Sequence, residues 1–157
     1  MTSVVGGLAG IGGLVGFGNS GPTLSALGAT IDLTGASGTL LNFAFSVPRD
    51  GVITSIAAYF STTLGITLLA TTVTIEAQLY SSATPDNTFS PIGPLIALAP
   101  SLTGTVGIGQ ISNAIATGLT IPVTAETRIL MVFSISVVGV NLVTAVEGYA
   151  SAGITII

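Results

Sequence analysis

Alternation of apolar and polar side chains organises most of this chain. In Leu41–Val47, Leu41, Phe43, Phe45 and Val47 alternate with Asn42, Ala44 and Ser46. In Thr72–Tyr80, Val73, Ile75, Ala77 and Leu79 alternate with Thr72, Thr74, Glu76, Gln78 and Tyr80. A period of two sends successive side chains to opposite faces of a strand, so each segment predicts a β-strand with one face on a core. Further strands are predicted at Gly51–Phe60, Ile115–Ile121, Thr127–Val138 and Ala145–Ile157, with shorter ones at Leu14–Gly18, Ala29–Leu33, Leu95–Leu98 and Gly104–Ile108. Pro48-Arg49-Asp50-Gly51 reads as a tight hairpin, and Thr84-Pro85-Asp86-Asn87 and Pro122–Glu126 as further turns, because Pro presets φ while Gly, Asn and Asp tolerate turn geometry. About ten short strands with such punctuation predict an all-β sandwich or jelly roll.

Two strands depart from one-sided patterning. In Thr127–Val138, Ile129, Met131, Phe133, Ile135 and Val137 form one face, yet Leu130, Val132 and Val138 lie on the other. The last strand puts Val146, Ala150, Ala152, Ile154 and Ile156 on one face, with Tyr149 and Ile157 opposite. A strand buried on one side only does not need apolar side chains on both, so the second face predicts contact with another chain, the alternative being a domain with an unusually apolar surface.

Composition strengthens the β reading. Ile, Val and Thr make up about a third of the residues, and β-branched side chains suit a pleated surface. The length of 157 residues fits one domain. Gly6–Gly21 holds eight glycines in sixteen residues without a strict Gly-Xaa-Yaa period. Residues 1–12 therefore read as a flexible Gly-rich lead-in, and 13–157 as the globular domain.

Charge and chemistry exclude more than they indicate. The chain carries two Lys/Arg, six Asp/Glu, no His and no Cys, for a net charge of -4. Asp32, Asp50, Glu76, Asp86, Glu126 and Glu147 are spread singly, so no catalytic residue, cofactor or metal is expected. Two arginines cannot neutralise a phosphate backbone, which excludes nucleic acid. The uncharged stretch Gly51–Ile75 is long enough to span a bilayer, but its nine Ser/Thr residues break it into two β segments, and no membrane span is expected. Gly16-Phe17-Gly18-Asn19-Ser20-Gly21 matches a dinucleotide-binding spacing but lacks the strand and helix that make it work. Asp86, Asn87 and Phe89 share one turn region and form the candidate ligand loop.

Asn42–Ile53, Leu119–Leu130 and Gly148–Ile154 resemble strand–turn–strand segments of tumour-necrosis-factor and complement-type globular heads. Leu14–Gly18, Ile31–Gly35, Phe43–Gly51 and Thr84–Phe89 are similar to phrases of the C-terminal domains of collagen-like exosporium glycoproteins of spore-forming bacteria, the BclB-type branch. The resemblance covers nearly the whole chain. It implies a homotrimeric jelly-roll head on a collagen-like stalk, extracellular, on the spore surface or a spore appendage. By the same similarity Tyr59, Leu130, Val132 and Tyr149 are candidates for the trimer interface. A structural head is the first expectation. An adhesin recognising a protein or glycan on a host or environmental surface is the alternative.

Overall fold

The computed structural model describes every residue except 5, 16–19, 35–42, 85 and 141–143, together with the side chains of 20 and 24–26. Eleven strands are described: β1 (Ile11–Val15), β2 (Ser20–Ala26), β3 (Ile31–Asp32), β4 (Phe45–Ser46), β5 (Gly51–Thr62), β6 (Ile66–Ser82), β7 (Thr88–Ala97), β8 (Leu102–Val106), β9 (Ile111–Val123), β10 (Arg128–Gly139) and β11 (Gly148–Ile156). There is no α-helix among the described residues, as the β-branched composition predicts.

Two antiparallel sheets face each other as a near-barrel. The larger has eight strands in the order β2-β1-β10-β6-β7-β3, with β4 also on β10 and β8 also on β6. The smaller runs β11-β5-β9. At the β7/β9 side the sheets are tied together: Ala99 and Asn113 form a bridge, and the Ser112 hydroxyl donates to the Pro100 carbonyl at 2.7 Å. Between them lies the main core, with Phe60, Val73, Ile75, Leu102, Phe133 and Ile135 all fully buried or nearly so.

The strand expected at Leu41–Val47 is described only as β4, since residues 41 and 42 lie outside the described residues and Phe43 precedes the strand. The Pro48–Gly51 segment is a turn, but it is not a hairpin. It leads from β4, paired with β10 in the large sheet, to β5, paired with β9 and β11 in the small one. The turn from β9 to β10 crosses between sheets in the same way. Of the three expected turns, the Thr84–Asn87 segment alone joins neighbouring strands, since Ser81 pairs with Ser90 across it.

The described residues among the first twelve are held against the body. The Met1 amine donates to the Val146 carbonyl at 3.0 Å, Thr2 bridges Ala145, and Val137 N–H donates to the Gly7 carbonyl at 2.9 Å. β1 starts at Ile11, within the Gly-rich stretch. Burial pushes the Met1 amine below its ordinary pKa, while the Glu147 charge pulls it back up. The dinucleotide-like glycine spacing lies mostly outside the described residues.

Candidate functional surfaces

The second apolar face of β10 finds its cover inside the chain. Leu130 and Val132 are 0% and 1% exposed. They form a second core with Leu14, Ile31, Leu33, Phe43, Tyr80 and Phe89, on the side of the large sheet away from the small one. This corrects their assignment to a trimer seam, because neither offers surface to another chain. The β1 register places Leu14 opposite Val132, and β6 places Tyr80 opposite Leu130. Burial raises the Tyr80 phenol above its ordinary pKa.

Phe89 belongs to this outer core and is fully buried, so it is no part of an exposed ligand loop. Its neighbours in that loop are engaged by the fold. The Asp86 carboxylate accepts the Thr88 N–H at 2.8 Å and lies 2.8 Å from the Ser82 hydroxyl. A carboxylate bonded to the backbone two residues on is a turn device. Arg128, at the start of β10, donates from Nη1 to the Asp86 carbonyl at 2.8 Å and approaches Asn87 Oδ1 at 3.4 Å. Its guanidinium also lies over the Phe89 ring, 5.3 Å from the centroid. The turn is thus clamped onto β10 by hydrogen bonds and a cation–π contact. No three His, Cys, Asp or Glu residues come together to hold a metal among the described residues.

Tyr59 and Tyr149 are placed differently. β5 sends Ile56, Ala58 and Phe60 into the core, so Ala57 and Tyr59 point outward. Tyr59 stands opposite Ser151 on β11 and Asn113 on β9, while Tyr149 stands opposite Ser61. The two tyrosines are therefore diagonal neighbours on the outer face of the small sheet, a separation across which aromatic side chains reach one another. Tyr59 is 39% and Tyr149 75% exposed. Ile111 and Ile115, exposed on β9, complete this face, which carries no charged side chain on its outward positions. Sequence reading missed Ile111 because the strand was expected to begin at Ile115, although Ile111, Asn113 and Ile115 share one period-two face.

One region of the molecule is also apolar and exposed. Leu64, Leu69, Ile108, Val138 and Val140 all lie open to solvent around the β5–β6 and β8–β9 turns and the end of β10. Hydrogen bonds tie the segments that carry them: Thr62 Oγ1 donates to the Gly107 carbonyl at 2.7 Å, and Val140 N–H donates to the Ala70 carbonyl at 3.2 Å. No helix among the described residues is long and apolar enough to cross a membrane.

Over 154 residues, 96% of this chain, the sequence is 31% identical to collagen-like protein 1 of Acanthamoeba polyphaga mimivirus. The chain is similar to one part of that protein, covering 16% of its length. No family model matches the chain, and no solved structure gives a significant match.

Proposed function

We propose that this domain is the trimerising head of a collagen-like surface protein and that its role is structural. The observation that carries the reading is the likeness, over 96% of the chain, to part of a collagen-like protein. A collagen helix winds three chains together, so a domain joined to one is present as three copies side by side. Each copy then needs a surface that meets its neighbours. The outer face of β11-β5-β9 suits this, because its tyrosines bury a large area while their hydroxyls find partners. The changes of sheet at the β4–β5 and β9–β10 turns support reading the fold as a jelly roll of the tumour-necrosis-factor-like type. The same reading places the protein outside the cell, on a spore surface or spore appendage, by its resemblance to exosporium glycoproteins. It assigns the domain no catalysis and no cofactor, since the six carboxylates are dispersed.

Size-exclusion chromatography with light scattering tests the assembly. The expected mass is three times 15.4 kDa. Tyr149→Arg should yield monomer or insoluble protein, because like charges forced together and desolvated are costly. Thr105→Arg, on exposed β8, should leave the trimer intact. A wild-type monomer, or a Tyr149→Arg trimer of unchanged melting temperature, overturns the reading.

An adhesin role is favoured by one observation, the exposed aliphatic region around Ile108 and Val140. Beads coated with the domain should attach to apolar surfaces, and Ile108→Ser with Val140→Ser should reduce that attachment. Absence of attachment by the wild type removes this second reading.

A further inference from the structure

Opposite the tied β7/β9 side, the two sheets stand apart. Among the described residues β11 pairs only with β5, so its other edge is open. The gap beside it forms a groove of about 590 Å³. Leu79, Ile129 and Met131 of the large sheet line one side, Ile154 and Ile156 of β11 the other, and Phe45 stands at one end. A volume in the range of roughly 300–1,000 Å³ with apolar walls is typical of a site for a small ligand.

The lining includes a single charged residue, Arg49. It is exposed, and its bonds are long: Nη1 donates to the Asp50 carbonyl at 3.3 Å and Nη2 to the Ile156 carbonyl at 3.4 Å. It forms no ion pair among the described residues. Arg128 is the contrast, with a 2.8 Å bond to Asp86 and an aromatic ring beneath it. One of the chain's two arginines is consumed by the fold, and the other stands at the rim of an otherwise uncharged apolar groove.

We propose that this groove binds a single-chain amphiphile with an anionic head, of the fatty-acid class, its carboxylate on Arg49 and its chain running along β11 from Ile156 towards Ala152. A guanidinium matches a carboxylate with two parallel hydrogen bonds and gives up its own hydration readily. The chain supplies the rest of the affinity, about fourfold for each methylene withdrawn from water. Charge makes the choice of head diagnostic. With a net charge of -4, the protein's overall field favours cationic amphiphiles, so preference for an anion isolates Arg49.

The test is displacement of a dansylated fatty acid from the soluble domain, below the micelle concentration of every competitor. Affinity should rise from octanoate through dodecanoate to hexadecanoate. Dodecanoate should compete at least about tenfold better than dodecyltrimethylammonium. Arg49→Gln should remove that preference and keep the dependence on chain length. Ala152→Trp, which fills the groove, should weaken every competitor at an unchanged melting temperature. The proposal is overturned if head preference survives Arg49→Gln, if chain length has no effect, or if well-folded Ala152→Trp binds as the wild type does. It is also overturned if only extended apolar peptides displace the probe, which would make the open edge of β11 an acceptor for a strand.

Discussion

Truncating Leu130 to Ala separates a core made within one chain from a seam made between chains. Leu130 is fully buried, with Tyr80 opposite it on β6 and Val132, Leu14 and Phe89 in the same cluster. Its neighbours sit on paired strands of one sheet and cannot close far into the space vacated, so the cost belongs in the upper part of the usual range, about 3–5 kcal/mol. For a domain of this size the urea dependence is about 2 kcal/mol per molar, which turns that loss into a midpoint lower by about 1.5–2.5 M. The assay is urea unfolding followed by circular dichroism, with light scattering on the same samples in buffer. If the cover is intramolecular, the shift between wild type and variant is the same at every protein concentration, and the native mass is unchanged. A shift that grows on dilution, with loss of the oligomer, would refute the assignment of Leu130 to the monomer's own core. So would a cost below about 1 kcal/mol, since a filled site cannot lose that much volume so cheaply.

Three further outcomes follow from other parts of the structure. Because burial raises the Tyr80 phenol, its stabilisation is complete below the ordinary value of 10.0 and is lost as pH rises through the higher folded value; alkaline unfolding should therefore be postponed in Tyr80→Phe, seen as a flatter high-pH limb of the melting curve. Arg128→Gln removes both the bond to Asp86 and the contact with Phe89, which should cost about 1–2 kcal/mol in urea unfolding and increase hydrogen exchange in the β6–β7 turn. Gly139 closes β10 at φ 132°, where an added Cβ would strike the Ala70 carbonyl and the Thr71 Cα; Gly139→Ala should cost at least about 2 kcal/mol, and a neutral result would mean that the end of β10 is free to shift.

The strand content was legible because a period of two survives even in an apolar chain. β6 and β10 carry it for many residues, and their observed register places residues 128 to 139 against 82 to 71 without a slip. β2 was not legible. Ser20–Ala26 contains Gly21 and Pro22 and has no alternation, and it is held by pairing with β1 and by the Gly12 N–H donated to Thr23 Oγ1 at 3.1 Å. The Pro48–Gly51 turn was legible as a turn but not as a crossing. Turn chemistry fixes a local reversal, whereas which sheet receives the next strand depends on partners 70 or more residues away at Val123 and Ile157.

The same physics explains why one half of the expected interface fell into the core and the other half stayed on the surface. Leu130, Val132, Tyr59 and Tyr149 look alike in sequence, each an apolar or aromatic residue on the wrong face of a good strand. What separates them is the supply of cover. Phe43, Phe89, Leu14 and Leu33 come from segments before β5 and after β6, and all of them lie over the outer side of the large sheet. Among the described residues no comparable segment reaches the outer side of β11-β5-β9, where Ile115 and Tyr149 remain 70% and 75% exposed. A surplus of apolar side chains is thus used up on one sheet and left on the other. The uncovered sheet is the smaller one, with open positions on three adjacent strands, and in a chain with two basic residues no charge screens it. An apolar face of that kind raises the free energy of the isolated monomer in water, and association through it lowers that energy without any change in the fold.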